Sequence, residues 1–146
     1  NRKLIRTALV IFLSGLFLSS AGLGAADWPG WRGADGNGVS DQAGFPQKWS
    51  QEKKKNLSWS LEVPQWGNSS PCILGDRIFL TAQKDGDALY VLCISRSERR
   101  VVREQQVGRG KTKHHRLHNM ASPTCVATAD RVCARGRTQS ITCSAL

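Results

Sequence analysis

Three histidines fall within five residues in His114-His115-Arg116-Leu117-His118, the one grouping in this chain whose residue types invite metal chemistry. Imidazoles this close could hold zinc or copper, and His114 and His118 would share one face if the segment were helical. The surroundings argue against an ion: Lys111, Lys113 and Arg116 repel a cation, and no carboxylate stands nearby to orient the rings. His114, His115 and His118 are therefore the only metal candidates, and the expectation for them is a solvated connection and no metal site.

The other reactive side chains read as structural. Ser69-Ser70 and Ser122 precede prolines at corresponding places in a repeat, and a device that recurs in every copy serves turn chemistry rather than nucleophilic attack, which also needs a base in reach. No catalytic residue is expected. Five cysteines, Cys72, Cys93, Cys125, Cys133 and Cys143, lie in apolar strand-like runs without a Cys-x-x-Cys spacing, which suits small buried hydrophobes better than metal ligands. Their number is odd and a bridge is open, but the sequence dictates no pairing. Asp35-Gly36-Asn37-Gly38 is a tight-turn signal that lacks the oxygen series and closing Glu of a calcium loop.

What must position these residues is a repeat. Asn68-Ser69-Ser70-Pro71-Cys72-Ile73-Leu74-Gly75-Asp76-Arg77 returns as Met120-Ala121-Ser122-Pro123-Thr124-Cys125-Val126-Ala127-Thr128-Ala129-Asp130-Arg131. The prolines are 52 residues apart (123 − 71) and the Asp-Arg pairs 54 (130 − 76), so a short insertion separates the halves of the second copy. Within the first copy, turn signals divide strand candidates at 71–74, 77–82, 88–94 and 100–104, a four-stranded antiparallel meander. The middle strands are apolar on both sides, so both faces of the sheet need cover. A period near fifty residues with doubly covered sheets is the pattern of stacked propeller blades, and one blade cannot bury both of its faces alone. In the second copy polar and basic residues fill 134–140 before Ile141-Thr142-Cys143, read here as the counterpart of Leu89-Tyr90-Val91, so the second blade is expected to be incomplete.

The chain divides into residues 1–26, 27–66, 67–117 and 118–146. The first stretch opens with Arg2, Lys3 and Arg6, continues as an uncharged apolar run and ends in small residues at Ala26, the pattern of a cleavable secretory signal peptide. Its only contact with a membrane would be transient, and the destination would be the periplasm or the exterior. Removing it leaves a net formal charge of 18 − 11 = +7 from the chain's +10. That charge is scattered and not interleaved with aromatic residues, which argues against nucleic acid as a partner. Residues 27–66 form a lead-in rich in Gly and Trp, residues 67–117 the first blade with its connection, and residues 118–146 the incomplete second. A full ring at this period needs several hundred residues, so a chain of 146 residues reads as a fragment.

Asp27-Trp28-Pro29-Gly30-Trp31-Arg32-Gly33, Gly38-Val39-Ser40, Trp59, Trp66-Gly67-Asn68-Ser69-Ser70-Pro71 and the run from Gly75-Asp76-Arg77 to Leu92, in this order, resemble the start of exported PQQ-like β-propeller repeat proteins. The resemblance spans nearly all of residues 27–133. It implies an all-β propeller truncated to about one four-stranded blade plus part of a second, and a structural role for the His-containing connection. Leu57-Ser58-Trp59 resembles a blade ending in which Trp docks on its neighbour; Arg103 occupies the matching place after Val101-Val102, where only its aliphatic stem could cover that surface.

Members of such a family divide between quinoprotein dehydrogenases, which hold pyrroloquinoline quinone and calcium over the ring axis, and scaffolds that bind proteins at the cell envelope. The adjacent cysteine pair, stacking Trp and calcium ligands of the former are not recognisable here. The expectation is a non-catalytic binding or scaffold protein without cofactor, partnered by an envelope protein or by itself through exposed blade faces. The alternatives are the N-terminal piece of a PQQ-dependent dehydrogenase, which alone would bring quinone and calcium, and a truncated product without function.

Overall fold

Seven strands and no helix make up the described part of the chain, which in this computed structural model is residues 26–63, 66–84, 86–110, 117–135 and 141–145. The signal-peptide reading of residues 1–26 thus lies almost wholly outside the described residues. Strands β1 (Cys72–Leu74), β2 (Arg77–Lys84), β3 (Ala88–Ser95) and β4 (Arg100–Arg109) form one antiparallel sheet in sequential order. A second sheet, β5 (Val126–Ala127), β6 (Arg131–Arg135) and β7 (Ile141–Ala145), is again sequential and antiparallel. The four strands expected of the first copy form in the expected order, with β4 running five residues beyond Glu104 to Arg109. The fold is all-β.

Local chemistry fixes the hairpins. Gly75 takes φ 56° as the first central residue of the two-residue loop between β1 and β2, a value an L side chain adopts only with strain. Ile78, Phe79 and Leu80 in β2 oppose Ile94, Cys93 and Leu92 in β3, so β-branched and aromatic side chains face one another across the ladder.

Burial confirms that the first sheet is covered on both faces: Phe79, Val91 and Cys93 lie on one, Leu92 and Ile94 on the other, all below a tenth exposed. The first of these faces meets the second sheet. Cys72, Phe79, Val91 and Cys93 pack with Cys125, Ala127, Val132 and Ala134 in one apolar core. Burying these eight side chains is worth several kcal/mol at about 25 cal/mol per Å² of apolar surface, which holds the sheets together.

The pairing register aligns the two sheets and locates the insertion. Cys72 opposes Phe79 and Val126 opposes Cys133, so Arg77 corresponds to Arg131, Phe79 to Cys133 and Cys72 to Val126. The extra residues therefore sit between Pro123 and β5. Across the next pairing Cys93 opposes Phe79 and Cys143 opposes Cys133. Ile141-Thr142-Cys143 thus matches Val91-Leu92-Cys93 and not Leu89-Tyr90-Val91, because strand pairing, rather than apolar likeness, sets the correspondence.

Cys133 and Cys143, directly opposite in that register with Cα atoms 4.1 Å apart, form a disulfide. The bridge that the sequence left open is thus this pair, and the reading as small buried hydrophobes holds for Cys72, Cys93 and Cys125, which are free and buried, but not for Cys133 and Cys143, which lie toward the outer, less covered face. The lead-in contributes to the sheets too. Trp28 pairs with Ile73 of β1 through two backbone hydrogen bonds of 2.8 Å, and the next carbonyl, that of Pro29, accepts from Ala127 N of β5 at 2.8 Å. The Gly- and Trp-rich lead-in therefore stitches the two sheets together.

Candidate functional site

Polar side chains converge where the two repeated Ser-Pro segments meet. Residues 66–70 continue the line of β1 along β2: Gln83 N donates to Trp66 O at 3.0 Å, and Ser69 Oγ accepts from Thr81 N at 3.0 Å in the place where a strand carbonyl would be. Gly67 is required for this approach. A Cβ there would stand 2.4 Å from the Thr81 carbonyl oxygen, closer than any side-chain carbon tolerates.

From β2 the Thr81 hydroxyl reaches across to the second copy, 3.0 Å from the carbonyls of both Ala121 and Pro123, so its single proton is shared between two acceptors. Gln83 Oε1 accepts from Met120 N at 2.9 Å. Asn119, 2% exposed, donates from Nδ2 to Trp66 O at 2.8 Å and accepts at Oδ1 from Ala121 N at 3.0 Å. Ser122 Oγ donates to Asn119 O at 2.8 Å, and Ser70 N donates to Thr124 Oγ1 at 3.1 Å. Each of these side chains satisfies a backbone group that the change from one sheet to the next would otherwise strand, at about 1–3 kcal/mol for each buried group left without a partner. Ser69 and Ser122 are thus turn and seam residues, bonded to backbone and not to a base.

Next to the Ser70–Thr124 bond, Cys72 and Cys125, both fully buried, lie in the apolar core that the two sheets share. Interaction with Cys125 pulls the Cys72 thiol below its ordinary range, and the same interaction, with burial, pushes Cys125 up. Further along the interface a cleft of about 30 Å³, room for a water or two, is lined by Arg77, Phe79, Cys93, Arg103, Val132 and Ala145. Burial pushes the Cys93 thiol up, and Arg77 and Arg103 only partly oppose it. A thiol so placed stays protonated at neutral pH and is a poor nucleophile. Arg103 does more than cover the surface with its stem: its Nη1 donates to Ala145 O of β7 at 2.9 Å, tying the sheets at this end.

At the far edge of the first sheet Asp76, in the β1–β2 turn, gathers the β3–β4 turn. Its carboxylate accepts from Ser95 Oγ at 2.7 Å, Ser97 Oγ at 2.9 Å and Ser97 N at 2.8 Å. The Ser95 hydrogen bond above all, with the Ser97 bonds and the nearby Arg96 charge, holds this carboxyl below the usual carboxylate range. Trp59 shares the open groove beside it with Gly75, Asp76, Arg96 and Ser97.

Of the metal candidates, His114 and His115 lie outside the described residues, and His118 is exposed on an irregular segment next to Asn119. Among the described residues no three His, Cys, Asp or Glu side chains are grouped as metal ligands. The Asp35-to-Gly38 segment is the turn expected, with Gly36 and Gly38 at φ 66° and 78° and Asn37 Oδ1 accepting from Val39 N.

Sequence reasoning missed Thr81, Gln83 and Asn119, the residues that join the copies. Thr81 and Gln83, polar residues inside the apolar run of β2, were the available signal, whereas Asn119 lies outside every strand and offered none. No protein-family model, curated protein or solved structure matches the chain.

The arrangement exposes one further face. The four residues of the first sheet that receive the second sheet, Cys72, Phe79, Val91 and Cys93, correspond in register to Val126, Cys133, Ile141 and Cys143. Those four look outward; Val126 is 53% and Ile141 69% exposed.

Proposed function

We propose that the chain is an exported, non-catalytic binding or scaffold protein built from PQQ-like β-propeller repeats, and that it docks protein through the outer face of its second sheet. The observation that carries this reading is the repeated face. The side chains that take up a neighbouring sheet in the first copy recur in the second, where they meet solvent. An apolar surface of this kind marks a site for protein association. The polar groups support binding over catalysis, since the seam hydroxyls and amides are consumed by backbone groups and the Cys93 thiol is buried in its protonated form. The envelope is the expected compartment, and its proteins or a second copy of this chain are the expected occupants.

Sedimentation of the purified chain tests the reading, alongside fractionation of a bacterial host expressing it. The processed chain is expected to begin at Asp27 outside the cytoplasm and to associate at micromolar concentration. Ile141→Glu with Val126→Glu should weaken that association at least tenfold while leaving the β-sheet circular dichroism unchanged. Retention of the full chain in the cytoplasm, or association indifferent to the double substitution, would contradict it.

A further inference from the structure

We propose that Cys72 and Cys125 are a redox pair that closes into a disulfide across the two sheets. The two residues belong to different copies of the repeat and do not correspond within it: Cys72 opens β1, whereas Cys125 precedes β5 in the insertion peculiar to the second copy. Both are 0% exposed and share one apolar core. The segments that carry them are already bonded: Ser70 N, two residues before Cys72, donates to Thr124 Oγ1, next to Cys125, at 3.1 Å, and Trp28-Pro29 bonds both Ile73 and Ala127. The third free cysteine, Cys93, lies in the same core but faces the cleft beside Arg77 and Arg103.

The reaction needs an oxidant, and a low-molecular-weight disulfide such as oxidised glutathione supplies one. Cys72 ionises first, its thiol held below the ordinary range by Cys125, and gives its proton to water once the sheets part. Its thiolate attacks one sulfur of the oxidant, forming a mixed disulfide and expelling one thiolate, which takes the Cys125 proton. Cys125 sulfur then attacks the Cys72 sulfur and expels the second thiolate, which is protonated by water. Two cysteine thiols are oxidised by two electrons, and one small disulfide is reduced to two thiols.

Access is the control. Neither residue meets solvent, so the oxidant reaches Cys72 only when the seam between the two sheets parts. Closure then ties β1 to the second sheet through a loop of 53 residues (125 − 72), after which the sheets cannot separate. The pair thus converts a reversible seam into a permanent one once the chain has entered an oxidising compartment.

The full chain, incubated with oxidised glutathione, alkylated under denaturing conditions and digested, is expected to yield one new peptide pair, Cys72 with Cys125, lighter by two hydrogens, while Cys93 is alkylated. Its rate of formation should level off as oxidant rises, because seam opening becomes limiting. The oxidised chain should melt about 5–10 °C higher than the untreated one. Cys93→Ser should retain the new pair and the shift. A cross-link involving Cys93, or Cys72 and Cys125 both still alkylated after hours at an oxidant level that oxidises the urea-unfolded chain, would overturn the proposal. Because the mapping is read on the unsubstituted protein, it stands even if Cys72→Ser does not fold.

Discussion

Thr81 shows how one hydroxyl in an apolar strand joins two repeats. It lies in β2 between Leu80 and Ala82, 7% exposed, and its Oγ1 is the donor for two carbonyls of the second copy, Ala121 and Pro123. Replacing it with Val keeps the shape and β propensity but leaves both carbonyls facing a methyl group. A buried acceptor without its donor costs about 1–3 kcal/mol, so Thr81→Val should lower the urea midpoint accordingly, with little change in slope. Thr81→Ser, which keeps the hydroxyl, should recover most of the loss. If Val is tolerated as well as Ser, the seam is held by apolar packing alone. The requirement at Gly67 works by exclusion: no side chain fits under the Thr81 carbonyl, which is why a glycine follows Trp66.

At the scale of elements, the two turns at one edge of the first sheet act as a unit because Asp76 collects the Ser95 and Ser97 donors. Its carboxyl is held below the ordinary value of 3.8, chiefly by the Ser95 hydroxyl. A group depressed on folding stabilises the fold above its unfolded value, and that contribution is lost as pH falls through the lower folded value. The wild-type melting temperature should therefore decline as pH drops below about 4, and Asp76→Asn should be less stable at pH 7 yet flatter across the acid range. Parallel acid profiles for the two proteins would assign the decline to other carboxylates. The strands themselves were legible in sequence as apolar runs at 77–82 and 88–94 bounded by Gly75-Asp76 and Gly86-Asp87, and pairing carries them on to Lys84 and Ser95. The need to cover both faces followed from the same apolar runs. The Cys133–Cys143 bridge was not legible, because it depends on the β6–β7 register and polar residues there hide the strand pattern. Nor was the Trp28-Pro29 stitch, whose partners, Ile73 for Trp28 and Ala127 for Pro29, are distant in sequence and reached through backbone atoms that carry no side-chain signature.

Over the whole molecule, the disulfide occupies the position that in the first sheet is filled by Phe79 opposite Cys93. In the first sheet that pair is stabilised by the neighbouring sheet packed on it; in the second the same place faces outward, and a covalent bond replaces the missing cover. The bond closes a loop between cysteines ten residues apart, worth about 3 kcal/mol in chain entropy. Its effect should not stay local, because the second sheet is the lid on Cys72, Phe79, Val91 and Cys93, and each sheet loses a core when the other departs. Replacing both Cys133 and Cys143 with Ala should therefore raise the exchange rates of amides in β2 and β3 as well as in β6, by the same factor of roughly a hundred, as one cooperative unit. Exchange that quickens in β6 and β7 while β3 keeps its full protection would mean that the first sheet stands without its neighbour, and the stacking of repeats would then be a contact rather than a condition of folding.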